Sequence, residues 1–175
     1  MTSATTPAAA AAPAPTTVPA IGAPWPAQGG IYAGITRDAQ SGNHFHLIVS
    51  TDPAGSFDAT WGGAGTEVAG ASDRWDGVAN TRALLAATTD HPAAQRCAAL
   101  TIDGHADWYL PAQRELTVCL VNVPELFETD DWYWSSTQYS RHYAWFQFFG
   151  YGFQDYGDKG YEAHVRAVRR FPLQS

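Results

Sequence analysis

The sequence is poor in cations: it has a single lysine, Lys159, and ten basic residues against seventeen acidic ones. Its formal net charge is −7 at pH 7, and its isoelectric point is about 5.1. A protein that grips nucleic-acid phosphates needs a clustered basic face, so this composition argues against nucleic acid as a partner. No stretch reaches the roughly 18 consecutive apolar residues of a membrane-spanning helix, so we expect no membrane insertion.

Cysteine is almost as scarce, with Cys97 and Cys119 as the only two. On their own they cannot form a multi-bridge disulfide scaffold or a four-ligand zinc site. Two alternatives stay open, a single disulfide or two buried free thiols. The redox compartment of the protein is therefore left open as well.

Large aliphatic side chains are also few. Leu, Ile, Val and Phe together number 31 of 175 residues, whereas alanine alone accounts for 30. With this net charge, such a composition falls in the range of disordered chains. What the chain has instead is 23 aromatic residues, 14 of them between Trp132 and Phe171. A folded core must therefore draw on aromatic rings.

The first 27 residues differ in composition from the remainder. They contain ten alanines, six prolines and five threonines, and no charged residue precedes Arg37. There is neither a basic segment nor an unbroken apolar run, so no clear signal peptide is predicted. We interpret residues 1–27 as a disordered or polyproline-like arm, either a flexible tether or a strap that docks on another chain. Residues 28–175 are predicted to form one domain.

The pattern of the domain predicts an α+β fold with two helices, a small mixed β-sheet and extensive loops. One helix is expected from a cap at Ser72-Asp73 to about Thr88, and a second from Pro111 to before Pro124. Apolar spacing in the second helix assigns Cys119 to the core. Residues 51–71 are predicted to be mostly loop. Residues 29–35 are predicted to form a turn followed by a first strand, and further strands are predicted at residues 44–50, 132–137, 143–149, 151–156 and 164–170.

Candidates for catalysis or metal binding are few. His44 and His46 share one face of a strand, and His105 with Asp103 or Asp107 could supply the third ligand that a metal needs. Cys97 or Cys119 with His105 would be the nucleophilic pair of an enzyme, but no nucleophile elbow or phosphate-binding glycine loop accompanies them. We therefore predict no catalytic residue, no metal and no cofactor, with a His- or Cys-centred enzyme as an alternative.

The predicted strand 143–149 carries large rings on both faces, and one layer of helices cannot cover both. The residues after it mix Tyr and Phe with Gly and Asp, as antibody binding loops do. Exposed rings of this kind indicate a binding surface, whereas the alternative is that they supply the missing core. We assign Trp132, Trp134, Trp145 and Phe171 to the core, and most tyrosines and several phenylalanines to the surface.

Several motifs, in order, resemble those of one family of bacterial and prophage proteins. They are Trp25-Pro26 with residues 29–34, the Trp-Tyr-Leu-Pro-Ala-Gln-Arg-Glu-Leu stretch at 108–116, Leu126-Phe127, residues 133–137, Ala144-Trp145 and residues 165–170. Over residues 25–172 the chain resembles the Lcl C-terminal-like family, which implies a C-type-lectin fold of the formylglycine-generating-enzyme type. The reactive cysteine pair of the enzyme relatives has no counterpart here. The Glu-Pro-Asn and Trp-Asn-Asp signatures of calcium-dependent lectins are also missing, so neither activity is carried over.

The chain is also similar to variable proteins of diversity-generating retroelements, in which adenine-directed mutagenesis alters selected codons. This resemblance implies a framework of Trp134, Trp145, Gln147, Gln154 and Arg166. It implies variable, ligand-binding positions at Arg141, His142, Tyr143, Phe146, Phe148, Tyr151, Phe153, Asp155, Tyr156, Asp158, Tyr161 and His164.

The predicted function is that of a receptor-binding or adhesin module, carried by a phage tail fibre or other virion part or by a bacterial surface. Its expected ligand is a cell-surface protein or glycan, and the N-terminal arm is expected to contact other virion or fibre subunits. The alternatives are a static structural protein of a virion, whose aromatic face is permanently buried against another subunit, and the enzyme considered above.

Overall fold

The computed structural model describes residues 17–173, and within them it contains three α-helices and two β-sheets. The α+β class is therefore confirmed, whereas the expectation of two helices and one small sheet is wrong. The helices are α1 (Gly77–Leu85), α2 (Pro92–Ala98) and α3 (Gln113–Asn122). The strands are β1 (Pro24–Trp25), β2 (Gly30–Arg37), β3 (His44–Ser50), β4 (Ser56–Thr60), β5 (Trp132–Gln138), β6 (Tyr143–Phe148), β7 (Gln154–Asp158), β8 (Glu162–Arg166) and β9 (Val168–Pro172).

The first sheet is antiparallel and has the strand order β1-β2-β3-β9. In β1, Trp25 pairs with Gly30 and packs edge-on against Tyr32, with ring centroids 5.4 Å apart. Ordered structure thus begins ahead of residue 28, although that boundary itself stays a prediction. The part of the proposed arm at residues 1–16 lies outside the described residues.

The second sheet has the order β4-β8-β5-β6-β7 and is mixed, because β5 and β8 run parallel while the other neighbours are antiparallel. Helix α3 packs on β5 and β6 as well as on β2 of the first sheet. β7 lies at one edge of this second sheet. The aromatic-rich segment of the sequence therefore forms one end of the sheet.

The predicted strand 164–170 is divided into β8 and β9, one in each sheet. At the crossing, the Ala167 N–H donates to the Gly55 carbonyl at 2.8 Å, and its carbonyl accepts from the Ser50 N–H at 3.1 Å. Val165 consequently points into one hydrophobic core and Val168 into the other. The sequence does not reveal this change of sheet, because apolar and polar side chains follow one another in both halves of the predicted strand as they would in a single strand.

Helix α1 begins at Gly77, four residues after the predicted cap. The Asp76 carboxylate accepts from the Ala79 N–H at 2.8 Å and is the true N-cap. Asp73 instead accepts from the N–H groups of Trp75 and Asp76, which makes a turn ahead of the helix.

Two elements were missed because their patterns are short. The buried residues of α2 are Ala93, Ala94 and Cys97, which give a weak amphipathic signal. β4 lies in the stretch 51–71 that we predicted to be mostly loop, and it pairs along its whole length with β8.

Two aromatic-rich cores hold the fold together. The first includes Trp61 and Trp134, whose indole N–H groups donate to the carbonyls of Ser135 and Ala59 at 2.8 and 3.1 Å. Cys97 lies in this core and Cys119 in the second, and both are free thiols. Burial raises the pKa of both thiols above the ordinary value. The placement of Cys119 in the core is confirmed, and the alternative of free thiols holds.

Candidate ligand-binding site

The predicted binding residues lie mostly on β6, on β7 and in the turns next to them. Cross-strand partners share a face of a sheet: Trp145 lies opposite Tyr156, and Phe146 lies opposite Asp155. Because side chains alternate along each strand, the predicted positions are distributed over both faces of the sheet. They form two separate clusters rather than one patch.

The first cluster, which we call the tyrosine cluster, comprises Tyr139, Tyr143, Trp145 and Tyr156. The rings of Tyr139 and Tyr156 are stacked with centroids 4.3 Å apart, and Trp145 meets Tyr139 edge-on at 5.3 Å. Arg74 places its guanidinium 5.2 Å from the centre of the Trp145 ring. All three tyrosines are exposed, so the cluster presents an aromatic surface bordered by a cation.

The second cluster, which we call the phenylalanine cluster, comprises Trp132, Phe148, Tyr151 and Phe153. Phe148 stacks with Tyr151 at 5.7 Å and with Phe153 at 5.4 Å, and Trp132 meets Phe153 edge-on at 5.3 Å. Tyr151 is 84% exposed, the highest value among the large hydrophobic side chains of the described residues. These rings are available to a partner.

The turn between β6 and β7 accounts for that exposure and corrects the predicted strand at 151–156. The Gly152 N–H donates to the Phe148 carbonyl, and the Phe148 N–H donates to the Phe153 carbonyl. Gly152 has φ of +74°, which favours glycine, so the chain reverses here and β7 starts only at Gln154.

Phe146 is a correction to the predicted site. It is 9% exposed and lies in the first core, stacked against Trp132 at 3.9 Å and Trp134 at 5.1 Å. Alternation along β6 places it on the same face as the buried Ala144, so its ring is not available to a ligand. Two further rings that sequence reasoning did not place in the core, Tyr133 and Phe149, are buried in the second core.

The core assignments among the tryptophans and Phe171 hold in part. Trp134 is fully buried, and Trp132 and Phe171 are partly buried against the first core. Trp145 lies in neither core and belongs to the tyrosine cluster. Tyr139 is not among the predicted binding residues, because it lies two residues beyond the predicted strand 132–137 and no local signal separates it from the core rings.

The other predicted binding residues are at the surface with one exception. Arg141, His142, Asp155, Asp158 and Tyr161 are exposed. His164 is half-buried: its Nδ1 pairs with Asp58, and its Nε2 lies 2.9 Å from Asp131. It therefore ties β4 to the loop ahead of β5. The assignment of these residues to ligand binding stays a prediction.

The predicted framework residues make contacts that would support a binding surface. The Gln147 amide donates to the carbonyls of Phe148 and Phe153, which fixes the β6–β7 turn. The Gln154 amide donates to the Gln113 carbonyl at 2.9 Å and so ties β7 to α3. Arg166 donates to the Ser50 carbonyl at 3.1 Å, across the junction between the sheets.

A buried polar network, not foreseen from the sequence, lies beneath this framework. The Tyr109 hydroxyl and the Ala112 N–H both donate to the Glu115 carboxylate at 2.7 Å, and Arg170 donates to Asp76 at 2.7 Å. Desolvation raises the pKa of Glu115 to about 7, although the nearby Arg170 lowers it. Apart from Asp76, these residues come from the 108–116 and 165–170 motifs, so those motifs connect the helices to the first sheet.

The metal and nucleophile candidates are dispersed. His46 is buried against Trp25 and Tyr32, and His44 is exposed. The His105 Nε2–H donates to the Ala27 carbonyl at 3.0 Å. Within residues 17–173, no three His, Cys, Asp or Glu side chains are grouped so that they could hold a metal ion. No helix in that range is long and apolar enough to cross a membrane.

Comparison with known proteins gives a sequence family and a solved structure with a similar fold. The sequence model of the Lcl C-terminal domain matches residues 71–169, more than half of the chain. A fimbrial protein from Bacteroides ovatus has a similar fold, with a TM-score of 0.58 at 14% identity. The similarity covers 81% of this chain and 44% of the fimbrial protein. Because the sequence identity is low, the similarity concerns the fold alone. None of the curated proteins matches the chain.

Proposed function

We propose, from the premise that the chain belongs to the family of Lcl C-terminal domains, that it is a non-enzymatic recognition module of an adhesin-like surface protein. In this proposal its ligand is a protein or glycan on a cell surface. The fimbrial protein with a similar fold is consistent with a surface location, although it is more than twice as long as the matched region.

One observation carries the proposal: large aromatic rings are exposed in clusters at one end of the second sheet. Tyr139, Tyr143, Tyr151, Phe153, Tyr156 and Tyr161 are all more than a third exposed. Two aromatic cores are already complete without them. Exposed rings that are held in place by stacking offer large contact areas at little entropic cost, which is typical of binding surfaces.

The finer proposal is that this surface is diversified, as in the variable proteins of retroelements, on a C-type-lectin-like scaffold. The division of roles supports it, because Gln147, Gln154 and Arg166 hold backbone groups while the proposed variable side chains, Phe146 and His164 apart, point outward. A surface that can be altered freely must leave such supporting bonds unchanged.

The binding surface is tested by the triple variant Tyr151→Ser, Phe153→Ser and Tyr156→Ser. We expect at least about 30-fold weaker retention on a panel of fixed bacterial cells and on a printed glycan array, since aromatic hot spots each contribute about 2 kcal/mol or more. The melting temperature should fall by no more than about 2–4 °C.

Val121→Ser is the matched control, because Val121 is 72% exposed on α3 and belongs to neither cluster. It should keep full retention. Large destabilisation of the triple variant would contradict the proposal and assign the rings to the core. Unchanged retention of the triple variant on every surface that wild type binds would contradict it as well.

The diversification is tested by the gene neighbourhood. We expect an imperfect repeat of the codons for residues 135–170, differing at adenines, beside a reverse-transcriptase gene. Without both, the surface is a static one and the finer proposal fails.

A further inference from the structure

β7 is the last strand of the second sheet, and its outer side meets no other strand among the described residues. Three of its five residues, Asp155, Tyr156 and Asp158, are exposed. An unpaired strand edge of this kind is a template for one more strand.

The hydrogen bonds at the two ends of the β6–β7 hairpin show which backbone groups point outward. The Phe148 N–H donates to the Phe153 carbonyl, and the Lys159 N–H donates to the His142 carbonyl. Because paired and unpaired residues alternate in an antiparallel ladder, the backbone groups of Gln154, Tyr156 and Asp158 face away from β6. Of these, the Asp158 carbonyl accepts from the Tyr161 N–H at 2.9 Å in the turn that follows β7.

Two carboxylates lie beside this edge, and one of them accepts a hydrogen bond from an outward-facing backbone N–H. Asp155 accepts from the outward N–H of Tyr156 at 2.8 Å. Asp158 holds the following turn by accepting from the Gly160 N–H at 2.8 Å. Alternation places the two carboxylates on opposite faces of the sheet, so an added strand would meet one negative charge on each face.

This charge pattern selects the occupant. Pairing with a second copy of the chain would bring two pairs of aspartates together along one seam, and like charges on adjacent strands are destabilising. A strand that carries two cationic side chains three residues apart would instead place one positive charge near each aspartate. The intervening side chain opposite Tyr156 would contact that ring, on the face of the sheet that carries the tyrosine cluster.

We propose that β7 binds an extended basic peptide segment of the partner as an additional antiparallel strand. The inference rests on the proposed function and specifies how the partner is held. Main-chain pairing supplies affinity that does not depend on side chains, and the surrounding aromatic positions supply specificity. Even if the side chains of the surface vary, the part of the affinity that comes from main-chain pairing would stay the same.

The test uses the full chain and the probe peptide acetyl-Thr-Lys-Thr-Val-Lys-Val-Thr-amide, followed by NMR of the backbone amides. We expect the amide signals of residues 154–158 to shift on titration and the Tyr156 and Asp158 amides to gain protection from hydrogen exchange. The same peptide N-methylated at both valines, or with both lysines replaced by glutamate, should bind at least tenfold more weakly.

Two variants at one position separate the backbone from the side chain. Tyr156→Pro removes the outward donor while leaving the ladder to β6 intact, because proline is tolerated on the free side of an edge strand. We expect it to bind the peptide at least tenfold more weakly than Tyr156→Thr, which keeps the donor.

Equal binding of the N-methylated peptide, equal binding by the two Tyr156 variants, or no binding of the lysine peptide would each overturn the inference. If the edge fails these tests while the triple variant still loses retention on cells or glycans, the proposed function stands and the partner is held by side chains alone.

Discussion

Replacement of Trp134 by alanine is expected to lower the free energy of unfolding by about 3–5 kcal/mol. The side chain is fully buried in the first core and stacks on Phe146, with ring centroids 5.1 Å apart. Truncation leaves a cavity that the adjoining strands cannot close, and it leaves the buried Ala59 carbonyl without the indole donor. Since domains of this size are stable by about 5–15 kcal/mol, the variant should be close to unfolding. Urea denaturation measures the loss.

Trp145→Ala is the matched control, because it removes the same side chain from the same sheet. Trp145 is half-buried and contacts Tyr139 and Tyr156 at the surface rather than the core. We expect its destabilisation to be less than half that of Trp134→Ala. Equal losses would mean that both tryptophans act as core residues, as we expected from the sequence, and that the tyrosine cluster is structural.

The strands that could be predicted from the sequence are those whose alternation ends at clear turn residues. β3 coincides with the predicted strand 44–50, and β2 is bounded by Gly29 as predicted. The boundary between β8 and β9 could not be predicted, because Ala167 interrupts no pattern and its change of sheet is fixed by distant partners, Ser50 and Gly55. Alternation reports which face a residue occupies, not which sheet its strand joins.

Prediction of the candidate ligand-binding site from the sequence meets the same limit, because local patterns do not report distant partners. Sequence reasoning separated exposed from buried rings correctly where a turn exposes them, as at Tyr151 and Phe153. It failed at Phe146, because a strand with rings on both faces has no pattern that marks the inner one. The Glu115–Arg170 network could not be predicted for another reason: the two residues lie 55 positions apart in the chain, and only the tertiary fold brings them together.

Replacement of Arg170 by methionine is expected to destabilise the protein by about 3–5 kcal/mol at pH 8, because it leaves buried carboxylates without their cation. Arg170 donates to Asp76 at 2.7 Å, and its second nitrogen lies 3.7 Å from Glu115. Methionine fills a similar volume, so the loss reports charge rather than packing. Unfolding in urea, repeated at pH 5 and pH 8, measures it.

The two pH values give different losses because Glu115 changes its charge between them. Burial raises the pKa of Glu115 from 4.5 to about 7. A raised carboxyl pKa stabilises the fold at low pH: the contribution is fully present below about 4.5 and is lost as the pH rises through about 7. At pH 5 the protonated Glu115 needs no cation, so Arg170→Met should cost less there than at pH 8.

The control is Glu115→Gln, which cannot ionise. It should remove the pH dependence that wild type owes to this group, about 1.4 kcal/mol for each pH unit between the two pKa values. In that background, the loss caused by Arg170→Met should be the same at both pH values. If Arg170→Met costs as much at pH 5 as at pH 8 in the wild-type background, Glu115 is not the group that Arg170 stabilises.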